Sequence, residues 1–178
     1  MSLKKAIKQL ALGSAAAAAL AGGVQAQADT PFAECLSTPR AVFQGNVVEA
    51  AIATPELSTL VDAVVAAGLA DTLAEAEDIT VYAPTDDAFA ALPPLVLEGI
   101  VSDPDVLTSV LTYHVSAGRR DPRIHFSSVR HDTLQGQPVY YGWVAGHSRV
   151  NGAAVSCQGV RTSNGVVWLI DSVLLPQF

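Results

Sequence analysis

Apolar positions follow two rhythms along this chain, a helical one from Asn46 to about Gly118 and a strand-like one from Ile124 onward. Asn46 with Glu49 three residues later has the shape of a capping box, in which each side chain satisfies an orphan N–H at a helix start. Thr54-Pro55-Glu56 predicts a second start, with Thr54 as N-cap and Pro55 at the first helical position. Leu57, Leu60, Val61, Val64 and Val65 then fall at i, i+3, i+4, i+7 and i+8, the spacing of a buried helical stripe. Gly68 suits the left-handed cap that ends such a helix, and Leu69 to Ala76 predicts a short further one.

The stretch Ile79 to Leu92 joins the two rhythms. Ile79, Thr80, Val81 and Tyr82 are strand formers, and Pro84 ends their ladder because it has no N–H to give. Thr85 and Asp86 can cap a short helix whose apolar side is Ala88, Phe89 and Leu92. Pro93-Pro94 enforces a turn, Leu95 to Ile100 predicts another short helix, and Asp103-Pro104-Asp105 marks a further helix start. Val106, Leu107, Val110 and Leu111 give that helix its apolar side; it leads into Tyr113-His114-Val115 and stops near Gly118. His114 is expected to be buried, with Thr85 or Asp86 of the corner as its hydrogen-bond partner.

From Ile124, short apolar runs are cut by Gln135-Gly136, Gly142 to Gly146, Asn151-Gly152 and Asn164-Gly165. Asn-Gly is a strong hairpin signal because both residues tolerate positive φ. Val166 to Ile170 is continuously apolar, as in a strand covered on both faces. Helices early and strands late predict one α+β domain without internal repeats.

Residues 1–28 read as a signal peptide: Lys4, Lys5 and Lys8 precede an apolar run from Leu10 to Ala21, and Ala26-Gln27-Ala28 offers small residues for cleavage before Asp29. Residues 29–44 are a lead-in and 45–178 the domain. The apolar run is short for a membrane span, so no stable insertion is expected once the leader is removed. The expected location is secreted, extracellular or periplasmic. Beyond the leader the chain carries seven arginines against 17 acidic side chains, which disfavours nucleic acid as a partner. Cys35 and Cys157 are the two cysteines. Export favours a disulfide between them over two separate buried thiols, and two lone cysteines lack zinc-site spacing.

No nucleophile elbow, HExxH, GxGxxG, phosphate loop or EF-hand motif is present, and His114, His125, His131 and His147 form no i, i+4 pair. The expectation is a non-catalytic protein without metal or cofactor. Arg119, Arg120, Asp121, Pro122 and Arg123 read as a solvated loop, or as a basic patch for an anionic partner. Tyr140, Tyr141, Trp143 and Trp168 crowd the strand-rich half, where packing is their ordinary role.

Four stretches resemble the signature boxes of the fasciclin-like domain family, in the family's order. They are Thr80-Val-Tyr-Ala-Pro-Thr-Asp-Asp-Ala-Phe, Leu111-Thr-Tyr-His-Val, Thr133-Leu-Gln-Gly and Asn164-Gly-Val-Val-Trp-Leu-Ile-Asp-Ser-Val-Leu-Leu-Pro. Tyr82 stands where the family often has Phe, and Trp168 where it often has His. The resemblance covers about Gly45 to Pro176 and implies a fasciclin-like fold, with N-terminal helices packed on a β-wedge or sandwich made largely by the C-terminal half. It also implies an exported adhesion or interaction module that meets a cell-surface or matrix protein or glycan. The signature positions Thr85, Asp86, Phe89, Tyr113, His114, Asn164, Gly165 and Asp171 would then be structural or partner-binding. The alternative is a secreted or periplasmic carrier holding an apolar small molecule against Tyr140, Tyr141, Trp143 or Trp168.

Overall fold

A computed structural model describes residues 31–124 and 129–178. The signal peptide read at 1–28, residues 29 and 30 of the lead-in, and His125 lie outside the described residues. The first elements are α1 (Pro31–Ser37), β1 (Ala41–Val42) and α2 (Val47–Ile52). After a 3-10 turn at Pro55–Leu57 come α3 (Ser58–Ala66), α4 (Ala70–Glu75), β2 (Ile79–Pro84) and α5 (Asp86–Ala90). Helices α6 (Pro94–Ser102) and α7 (Pro104–Tyr113) lead into β3 (Val115–Ala117) and a 3-10 turn at Pro122–Ile124. The remaining strands are β4 (Val129–Asp132), β5 (Pro138–Val144), β6 (His147–Val150), β7 (Ala153–Ala154), β8 (Val160–Arg161) and β9 (Gly165–Ile170).

Two sheets form. The larger has the order β1-β8-β9-β2-β3, with β2 and β9 parallel at its centre; the smaller is the antiparallel meander β4-β5-β6-β7. The two-residue period of a strand sorts the central pair. Ile79 and Ala83 of β2 and Val167 of β9 join the helical core with Leu57, Leu60, Phe89 and Leu111. Tyr82 of β2 and Val166, Trp168 and Ile170 of β9 meet Val139, Tyr141 and Val150 of the smaller sheet. The domain is therefore layered helices, sheet, sheet, which is the expected α+β arrangement. It also explains the continuous apolar run Val166 to Ile170: β9 is covered on both faces.

Local signals forecast much of this. The Asn46–Glu49 capping box forms, Asp103 caps α7 through Asp105 and Val106, and Gly68 takes a φ of 67°. Asn151 and Gly152 take φ of 49° and 90° between β6 and β7. Four expectations need correction. Thr54 does not cap: its hydroxyl donates back to Ala50 O. Val65 is 62% exposed, whereas Leu60 and Val64 of α3 are buried. Helix α7 ends at Tyr113, since Val115–Ala117 is drawn into pairing with β2. Of the 119–123 segment, Arg119 and Arg120 are exposed as a solvated loop would be, but Pro122 and Arg123 are buried.

Candidate functional site

The corner after β2 is a polar joint. Thr85 caps α5 by accepting Ala88 N–H, and its own N–H donates to Ile170 O at the end of β9. Asp86 reaches across to α3, accepting Ser58 Oγ at 2.7 Å and Thr59 N at 2.8 Å. These donors stabilise its anion and hold its pKa below the usual carboxylate range. α3 lacks a side-chain cap of its own, so Asp86 fills that place from the other end of the corner. Phe89 is buried in the helical core.

His114 does not touch this corner. It lies at the C-terminal end of α7, 2% exposed, with Nδ1 at 2.8 Å from Val110 O and Nε2 accepting Leu174 N–H at 2.9 Å. An amide can only donate, so Nε2 is unprotonated and Nδ1 carries the hydrogen donated to Val110. Burial holds the imidazole pKa down to about 4, against the raising effect of the Val110 bond. Thr85 and Asp86 are unavailable because the N-termini of α5 and α3 use them, whereas the last turn of α7 and the Leu174 amide need partners. Beside it, Tyr113 OH donates to Pro138 O and accepts from Asn151 Nδ2.

Asn164 joins three elements. Its Oδ1 accepts Val47 N–H at the start of α2, and its Nδ2 donates to the carbonyls of Leu73, Ala74 and Ala76 at the end of α4. Gly165 is needed for space and not for a positive φ: a Cβ there would meet Ile79 O at 2.4 Å. Asp171 accepts Ala154 N–H at 2.7 Å and the Ser172 hydroxyl. Thr85, Asp86 and Asp171 border an open groove of about 710 Å³ at the carboxyl ends of β2 and β9, together with Glu56 and Asp87. Tyr113, His114 and Asn164 lie away from it.

Cys35 and Cys157 form a disulfide. Arg123, expected only as part of a solvated loop or basic patch, sits beside it. Its Nη1 donates to the carbonyls of Cys35, Thr38 and Cys157, its guanidinium pairs with Asp121 at 2.8 Å, and it stacks 4.8 Å from the Trp168 ring centroid. Asp121 is held below the ordinary carboxylate pKa by the Arg123 guanidinium, in spite of its burial.

Of the four aromatics, Tyr140, Tyr141 and Trp143 border one open depression of about 340 Å³ on the smaller sheet, and Trp168 does not reach it. Trp168 is wholly buried between the sheets, its Nε1 donating to Arg120 O, and Trp143 Nε1 donates to Arg123 O. The buried Tyr82 and Tyr141 hydroxyls bond to each other and Tyr82 also reaches Ser116; burial raises the pKa of both phenols. Thus the Tyr82 hydroxyl and the Trp168 indole, the two departures from the family's usual residues, both have partners. An apolar cleft lined by Val48, Ala51, Val61, Val65 and His114 holds about 40 Å³. Sites for drug-sized ligands hold roughly 300–1,000 Å³. Among the described residues no group of three or more His, Cys, Asp or Glu is placed to hold a metal ion, and no helix is long and apolar enough to cross a membrane.

Helices on a mixed sheet, backed by an antiparallel meander, define a FAS1-type fold. The chain superposes on a FAS1 domain pair from the insect cell adhesion molecule Fasciclin I with a TM-score of 0.60 at 15% identity, covering 74% of this chain and 51% of that one. The sequence model of the Fasciclin domain matches residues 55–176, and the chain belongs to that family. It is 39% identical over 132 residues to an uncharacterized protein of Synechocystis, sll1735, spanning 73% of this chain and 97% of the relative. It is 40% identical over 139 residues to the cell surface glycolipoprotein MPB83 of Mycobacterium bovis, spanning 75% of this chain but 61% of that protein. The immunogenic protein MPB70 of the same species is 39% identical over 138 residues, 75% of this chain and 70% of its own length.

Proposed function

We propose that this is an exported, non-catalytic adhesion or interaction module, acting on a cell-surface or matrix protein or glycan. The observation that carries the reading is where the signature residues go. Asp86, Tyr113, His114 and Asn164 each hydrogen-bond across elements, Thr85 caps α5, Phe89 fills the helical core and Gly165 leaves room for Ile79 O. These residues serve the fold, and binding falls to the exposed groove, loops and sheet faces. Export is supported by the leader pattern, by the disulfide, and by similarity to a protein named as a cell surface glycolipoprotein. The domain is proposed to occupy residues 45–178.

The test is capture by cross-linking on the surface of intact exporting cells, followed by mass analysis of both the partner and the mature N-terminus. A chain beginning near Asp29 and cross-linked to a surface protein or glycan is expected. Protein that keeps Met1, or that yields no cross-linked partner but copurifies with an apolar small molecule, would overturn the reading.

A further inference from the structure

The outward face of the four-stranded sheet carries an exposed aromatic ring and an arginine with one nitrogen lacking a partner among the described residues. Strand alternation turns Val139, Tyr141 and Val150 inward, so Tyr140, Gly142 and Val144 of β5 face outward; Tyr140 is 47% exposed. Register sets Arg130 of β4 beside Tyr140, and Arg149 of β6 beside Gly142. Gly142 has no side chain to fill the space between them, and a Cβ there would meet nothing within 4 Å. The result is a depression of about 340 Å³ whose border includes Tyr140, Tyr141, Gly142, Trp143, Arg149 and Asn151.

Two features set the kind of ligand. Arg149 Nη1 donates to Gly152 O, but its Nε is buried without a hydrogen-bond partner among the described residues. A guanidinium short of an acceptor favours an anionic oxygen, and a carboxylate supplies one. Second, charge is segregated along the chain. Positions 41–118 hold twelve acidic residues and no Lys or Arg, whereas positions 119–178 hold six arginines against three aspartates. Of these arginines, Arg119, Arg123 and Arg130 pair with Asp78, Asp121 and Asp132. An anionic polymer is thus repelled by the helical layer and meets favourable charge on the strand-rich side.

The geometry points to a binding site for a uronic-acid polysaccharide on the outward face of β4–β7, with one sugar ring stacked on Tyr140 and its carboxylate taken by Arg149. The apolar C–H face of a pyranose suits the exposed Tyr140 ring. Nucleic acid fits less well, because its binding is driven by many phosphate contacts at high charge density, whereas this face offers two arginines, one already paired. The inference rests on the adhesion reading and names its partner.

The experiment uses the mature exported protein on surfaces coated with polygalacturonate, sulfated dextran, neutral dextran or single-stranded oligonucleotide. Retention on polygalacturonate above the other three is expected, falling as salt is raised to about 0.5 M. Gly142→Val fills the depression at an open strand position with ordinary φ, so it keeps the fold and its unfolding temperature, yet weakens retention about tenfold or more. Tyr140→Ala and Arg149→Gln are expected to do the same. Equal retention of wild type and Gly142→Val, equal retention on sulfated dextran or oligonucleotide, or passage straight through polygalacturonate overturns the inference. Surface cross-linking on exporting cells separates the two failures. If Gly142→Val is captured there as well as wild type, adhesion stands and this site falls; if neither is captured, the adhesion reading itself falls.

Discussion

His114 shows how a single residue's surroundings fix both its state and its pH response. Its Nε2 must stay unprotonated to accept Leu174 N–H, and burial already disfavours the imidazolium, so the folded pKa of about 4 lies below the ordinary 6.5. The unfolded chain therefore takes the proton first on acidification. Stability is fully present above pH 6.5, declines as pH falls to about 4, and levels off below that, a loss of about 3 kcal/mol. Urea unfolding of wild type and His114→Gln across that range should show the steeper decline in wild type; parallel curves would sink the assignment. At neutral pH, His114→Ala strands a buried amide at Leu174 and should cost about 1 to 3 kcal/mol. A His114→Ala protein that melts like its parent but no longer adheres would instead show that the residue meets the partner directly. The sequence made His114 recognisable as a buried histidine, because it ends an amphipathic helix beside Leu111. Its partners were not legible, since Leu174 lies 60 positions away.

At the scale of elements, what was legible is what neighbouring residues decide. The Asn46 and Asp103 caps, the left-handed Gly68 and the Asn151-Gly152 hairpin all close within four residues, and all form. What was not legible is decided from a distance. α3 takes its cap from Asp86, which lies 27 positions from Thr59, so Thr54 looked like the cap while doing something else. Likewise α7 stops at Tyr113 because β2 recruits the next residues, and Gly165 is set by the backbone of Ile79. The groove at the strand ends was partly legible, through Thr85, Asp86 and Asp171; the outward face of β4–β7 was not, because its residues come together only through sheet register. The Asp86 contact makes a prediction at this scale. Asp86→Ala should lower the unfolding temperature and speed hydrogen exchange at the Thr59 amide, leaving the amides of the Asn46-capped helix unaffected. In wild type the contact is present above the ordinary carboxylate pKa and is lost as pH falls through the lowered folded value. Unchanged exchange at Thr59 in the variant would show that Asp86 does not cap α3.

For the molecule as a whole, two devices fasten the start of the domain to its strand-rich half, and they meet at one place. The Cys35–Cys157 disulfide closes a loop of 122 positions, for which chain-entropy reasoning gives about 4 to 5 kcal/mol of stabilisation. Arg123 donates to the backbone carbonyls of both cysteines and of Thr38, so it grips the same junction without depending on the sulfurs. Removing Arg123 alone also leaves the half-buried Asp121 without its cation, a further loss of stability. Two fasteners on one junction should not act independently. Once the disulfide is gone the lead-in can detach, and Arg123 then has less of a folded junction to hold. The expectation is that Cys35→Ser with Cys157→Ser, and Arg123→Met, each lower stability, while the triple variant loses less than the two losses added together. Denaturant unfolding of the four proteins measures the cycle, and thiol labelling of denatured wild type checks the starting point. Strict additivity would mean that the guanidinium and the disulfide hold separate parts of the domain, and two reactive thiols per chain would mean that the bridge is absent.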